Sequence, residues 1–148
     1  MTRLLQFAAG LAFAAVATLP ATVHATDSTD VIDYRKNVMK SLSAASAGLN
    51  AILQGKAPAE NLVLQAETLR IIATTALIAF EPNVEGGDSK PEVWAKWADF
   101  SAKMKAFEAG TADLAKAAKE GGVAAAQGKV QAALTCKGCH DVYRVPKK

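Results

Sequence analysis

The sequence predicts an all-α protein, an antiparallel up-and-down four-helix bundle. Glycine and proline gather in three short places, at 55–58, 81–91 and 120–122, instead of punctuating the chain roughly every eight to twelve residues as in an all-β protein. The four segments between these breaks repeat apolar residues at steps of three, four and seven, which is one face of a helix. The connections are mostly short, so neighbouring helices run antiparallel.

In the first segment Val31, Val38, Leu42, Ala45, Leu49 and Ile52 share a face, and Gly55 reads as the stop. The second opens with Pro58 and Glu60, both suited to a first turn, and carries Leu62, Ala66, Leu69, Ala73, Ala76 and Phe80 until Pro82 closes it. The third opens at Lys90-Pro91-Glu92, and its stripe runs Val93, Trp97, Phe100, Met104, Phe107, Thr111, Leu114 before Gly121 and Gly122. The fourth is expected from about Val123 through Val130 and Leu134 to Tyr143, since Pro146 forbids continuation. Trp94, Trp97 and Met104 are read as core residues.

The N-terminus has Arg3, an apolar run over 4–19, Pro20 and the small-residue site Val23-His24-Ala25. This is the pattern of a cleavable secretory signal over 1–25; a membrane anchor is the alternative, but Gly10 and Thr18 interrupt the run. The remaining 26–148 suffice for one domain with a single core. The formal charge of +3 includes Arg3, which leaves +2 after cleavage. So small a charge argues against a nucleic-acid partner. Export places the chain in an oxidising compartment, the periplasm, where two cysteines ordinarily suggest a disulfide. Here their spacing argues otherwise, because a bridge from Cys136 to Cys139 closes a very small loop and removes little unfolded-state entropy.

The chemistry sits in Cys136-Lys137-Gly138-Cys139-His140. Positions i, i+3 and i+4 point the same way on a helix, as covalent haem attachment requires. The two thiols add across the haem vinyl groups as thioethers, and the adjacent imidazole reaches the iron as proximal ligand. A thioredoxin-like redox pair needs strands that this chain does not offer. A zinc site needs four ligands, and beyond the signal His140 is the only histidine and no third cysteine exists.

An attachment motif in the last helix, together with Tyr34-Arg35-Lys36-Asn37-Val38-Met39-Lys40 in the first, Lys90-Pro91-Glu92-Val93-Trp94 opening the third and Cys136 to Arg144 in the fourth, resembles the cytochrome c′ family. The resemblance covers nearly all of the chain after the signal. It implies an exported four-helix bundle with one covalent haem c, and family members are often homodimers through the first two helices.

Arg35 falls near the middle of the first helix's apolar arc, within about 20° of Leu42, Ser46 and Leu53. A guanidinium there needs a counter-charge, and a haem propionate is one that arginine grips through two hydrogen bonds. The resemblance implies the same role, and snorkelling to solvent is the alternative. Arg144 stands one turn after His140. The resemblance places it beside the proximal histidine; a surface cation complementing the helix dipole is the other reading. Met39, one turn after Arg35 and about 40° round, is the expected sixth ligand, since a thioether is soft and long enough to cross a pocket. The resemblance allows both outcomes, because low-spin members ligate through a methionine at this position and some high-spin members do not.

The expected function is therefore an electron carrier with redox partner proteins, not an enzyme. The alternative is capture of a small gas such as nitric oxide at an open sixth site. A haem peroxidase lacks support because no second histidine remains for distal acid-base work.

Overall fold

In the computed structural model residues 27–146 are described; the expected signal over 1–25 lies outside them. Helix α1 spans Ser28–Leu53 and begins where the Asp27 carboxylate accepts the Thr29 backbone N–H at 2.8 Å, an N-cap that occupies one of the unpaired donors of the first turn. Its inward face buries Val38, Leu42, Ala45, Leu49 and Ile52, as the spacing predicts. Arg35 is buried on the same face. The chain turns at Gly55 and enters a short 3-10 turn, Ala59–Asn61, which leads into α2, Leu62–Ala76. A second 3-10 turn, Ile78–Phe80, ends this segment before Pro82.

The stretch 59–80 is long and apolar enough to cross a membrane by length and composition alone. Its inner face nevertheless packs as a core helix. Leu62, Ala66, Leu69, Ala73 and Ala76 are buried, and the outer face leaves Leu64, Ile71 and Ile78 exposed at steps of seven.

The third segment starts as expected at Pro91 but is divided. A single turn, α3, covers Glu92–Ala95, Lys96 leaves helical geometry at φ −120°, and the long helix α4 covers Trp97–Gln127. Within α4, Gly122 adopts φ 62°, ψ −150°, a conformation essentially restricted to glycine, and kinks the helix there. The expected continuous fourth helix is therefore corrected. It begins past Gly122, as the glycine pair predicts, but it is interrupted: a helical stretch ends at Gln127, a short α5 covers Val130–Ala133, and Leu134 (φ −100°, ψ 59°) and Thr135 break the backbone before α6, Cys136–Tyr143.

The fold is all-α, a four-helix bundle in which the helical stretch after Gly122, α5 and α6 make up the fourth leg. Among the described residues the only β features are two isolated bridges, Gly86 with Ser89 and Ser89 with Arg144. Helix α2 packs broadly against both α1 and α4. Leu49, Leu69 and Leu114 are fully buried where these helices meet, and truncating one of them to alanine costs about 2–5 kcal/mol. Gly110 of α4 lets α5 approach so closely that a Cβ there would lie 2.9 Å from the Ala133 Cα. By contrast α1 and α6 pack little against each other, and both line one large cavity.

Candidate functional site

That cavity has a volume of about 640 Å³. Native interiors are close-packed, with few voids larger than a water molecule, so a space of this size within a folded bundle is shaped for a large group. Arg35, Met39, Leu42 and Ser46 line it from α1, Phe100, Lys103 and Met104 from α4, and Cys136, Cys139, His140, Tyr143 and Arg144 from the C-terminal leg. All six residues singled out in the sequence thus reach one space, from segments roughly a hundred residues apart.

Cys136 and Cys139 are free thiols, the first exposed and the second half-buried. Burial pushes the Cys139 thiol up from its ordinary range, which keeps it protonated at neutral pH. His140 follows on the same face of α6, half-buried, with the Arg144 Nη1 3.4 Å from its Nδ1. Thr135 outside the helix start and Arg144 after its end let α6 present three functional side chains in two turns. Two thiols and an imidazole at helical spacing, on the wall of a cavity whose apolar lining includes Leu42, Val93, Phe100 and Phe107, fit a flat, largely apolar group carrying reactive vinyls and an iron.

Arg35 is 2% exposed, so the snorkelling alternative is excluded. Its environment differs from the expected carboxylate. Nη1 donates to the Val84 carbonyl at 2.9 Å and Nη2 to that of Gly86 at 3.0 Å. Its guanidinium lies over the rings of Phe80 and Trp94, at 5.3 and 5.0 Å from their centroids. Trp94 is itself held by its Nε1–H donating to the Phe80 carbonyl at 3.0 Å. Burial holds the arginine below its ordinary pKa, but a guanidinium does not deprotonate in a protein and so stays charged. Two of its five donors serve the loop and three remain for another acceptor.

Met104 is buried in the core, as expected, and also lines the cavity. Several participants were not foreseen. Phe80, Phe100 and Tyr143 stack into an aromatic wall, with Phe100 centroids 5.0 Å from Phe80 and 5.2 Å from Tyr143. The Tyr143 hydroxyl donates to the Asp99 carboxylate and ties α6 to α4. Tyr143 was legible in principle, three residues after His140 on the same helical face; Asp99 carries no signal of its own.

The bundle and its thiol-imidazole wall define a c-type cytochrome of the four-helix class. Comparison with known proteins narrows this. The sequence pattern described as Cytochrome C′ matches residues 30–144. A cytochrome c′ from Alcaligenes xylosoxydans xylosoxydans is 33% identical over 123 residues, 80% of this chain and 95% of the relative. One from Rubrivivax gelatinosus is 35% identical over 122 residues, covering 78% and 94%. The solved ferrous Alcaligenes xylosoxidans variant with bound NO superposes with a TM-score of 0.75 at 28% identity, covering 82% of this chain and 98% of that one. A carbon monoxide-bound variant of the same protein matches equally well, with a TM-score of 0.75 over 81% of this chain and 98% of that one. The chain belongs to the cytochrome c′ family and carries one covalently bound haem c.

Proposed function

We propose that this protein is an exported, periplasmic electron carrier in which His140 binds the haem iron from α6 and Met39 binds it from α1. The observation that carries the reading is that Met39 and His140 line the same cavity from two helices that scarcely touch. The haem supplies one-electron exchange, and histidine with methionine is the axial pairing that raises the potential of electron-carrying cytochromes. Cys136 and Cys139 hold the group covalently. The remaining donors of Arg35 grip a propionate, and the Arg144 cation beside His140 makes the imidazole a poorer electron donor. The wall of Phe80, Phe100 and Tyr143 excludes water from the rim. We read the protein as a carrier rather than an enzyme because 26–148 holds one histidine and no second acid-base imidazole.

A second reading, capture of a diatomic gas, is favoured by the solved relatives that hold NO and CO. Met39 is only partly buried, on an unbranched, displaceable side chain. Absorption spectra of the oxidised and reduced holoprotein, with and without Met39→Ala, separate the two. A low-spin protein that turns high-spin and gains carbon monoxide affinity supports methionine ligation. A high-spin spectrum unchanged by the substitution sinks it and leaves gas capture. The exposed Leu64 and Ile71 of α2, continued by Ile78 in the 3-10 turn after it, support self-association of the bundle as a homodimer.

A further inference from the structure

The loop over 81–91 joins α2 to α3 and has no role in the reading so far. It is tied down on two sides. On one side it receives the two hydrogen bonds from Arg35 to the carbonyls of Val84 and Gly86. On the other its backbone pairs with the chain leaving α6: Lys90 N–H donates to the Tyr143 carbonyl at 2.9 Å, Val145 N–H donates to the Asp88 carbonyl at 2.9 Å, and Ser89 bridges Arg144 between them.

We propose that Arg35 and this loop are positioning elements for the far side of the cavity: Arg35 fixes the loop, the loop fixes residues 143–145, and that pairing keeps the Arg144 guanidinium against His140. The proposal rests on His140 being the proximal ligand.

The physical case begins with α6. Eight residues are too few for a helix to hold itself in water, so its end must be held by neighbours. Arg144 has left the helix, at φ −107°, ψ 139°, and the direction of its side chain is set by that extended backbone. The residues on both sides of Arg144 are hydrogen-bonded to the loop, while the Arg144 N–H itself donates back to the His140 carbonyl at 3.0 Å. Its guanidinium, on a long stem with much rotamer freedom, therefore starts from a fixed anchor, and its Nη1 lies 3.4 Å from Nδ1 of His140. The loop has no regular structure of its own to supply that rigidity. It gains it from a buried cation on α1, through charge-assisted bonds roughly twice as strong as neutral ones. A mere connection between helices has no need of an arginine 49 residues away in sequence from the carbonyl that it holds.

A cation held beside the imidazole weakens its donation and favours the reduced iron, so the reduction potential reads the position of Arg144. Val145→Pro removes the N–H that donates to Asp88, and Arg144 already has the ψ that a residue before proline prefers. Val145→Ala keeps the N–H and serves as control. In the holoprotein, Val145→Pro is expected to lower the potential relative to Val145→Ala, in the same direction as Arg144→Gln, and to add nothing further when combined with Arg144→Gln. Arg35→Lys, which cannot fork to two carbonyls, is expected to speed hydrogen exchange of the Lys90 amide. Should Val145→Pro fail to acquire haem, Lys90→Pro against Lys90→Ala tests the other backbone bond in the same way. An unmoved potential in these proline variants overturns the proposal, as does a shift of equal size in the Arg144→Gln background. An Arg144→Gln protein whose own potential is unmoved removes the proximal reading, and the positioning role with it.

Discussion

Tyr143 shows how much a single side chain at this site is asked to do. It closes the aromatic wall, donates to Asp99 across α6 and α4, and is 3% exposed. Burial, followed by the carboxylate beside it, pushes its pKa up to about 12. An unfolded tyrosine ionises near pH 10. The folded value lies above the unfolded one, so the stability tied to this proton is complete below about pH 10 and is lost as pH rises toward 12. Tyr143→Phe should therefore flatten the fall of thermal stability across that window. Parallel wild-type and mutant curves in circular dichroism would count against it. At the same scale, Cys136→Ala combined with Cys139→Ala should abolish the added haem mass in mass spectrometry of protein made with a c-type maturation system. The residues that the sequence singles out and that the structure brings to one cavity, Arg35, Met39, Cys136, Cys139, His140 and Arg144, are those picked out by spacing along one helix. Asp99 and the carbonyls of Val84 and Gly86 are not, because tertiary packing alone brings them to Tyr143 and Arg35.

Among the elements, α1 and α2 follow the apolar period closely, since each buries one continuous stripe from cap to glycine or proline. The C-terminal third is where periodicity misled. Alanine is frequent over 123–133 and fits a helix at almost any phase, so the breaks at Leu134 and Thr135 left no trace in the pattern. The break at Gly122, by contrast, falls where the glycine pair marks it, with helical structure resuming beyond it. Replacing Gly122 with alanine forces a side chain into a strained backbone and should cost on the order of 1–3 kcal/mol, read as a lower midpoint in urea unfolding. Gly110→Ala tests the contact between α4 and α5. Its new Cβ would meet the Ala133 backbone, not a yielding side chain, so a destabilisation of roughly 1–3 kcal/mol is expected by the same measurement. No change at Gly110 would mean that α5 can be pushed outward freely, carrying the attachment helix with it.

At the scale of the molecule, the bundle is built around a space that its own side chains do not fill. Protein prepared without haem should melt at a lower temperature than the holoprotein, because the bound group supplies the contacts that the cavity walls lack. Equal melting of the two forms would contradict this. If the exposed α2 stripe joins two copies, Ile71→Glu should convert a dimer to a monomer in sedimentation without altering the haem spectrum. The pairing of 88–90 with 143–145 also bears on the order in which the molecule assembles. Helices α1, α2 and α4 pack in succession, α2 lying against both of the others. The attachment helix closes onto a loop more than fifty residues behind it, so its thiols reach their final place only once that loop is formed. Cys136 is exposed even in the finished fold. A chain with its first three helices assembled would thus still offer both cysteines to the machinery that joins them to haem, and the final docking step would seal a covalent bond already made.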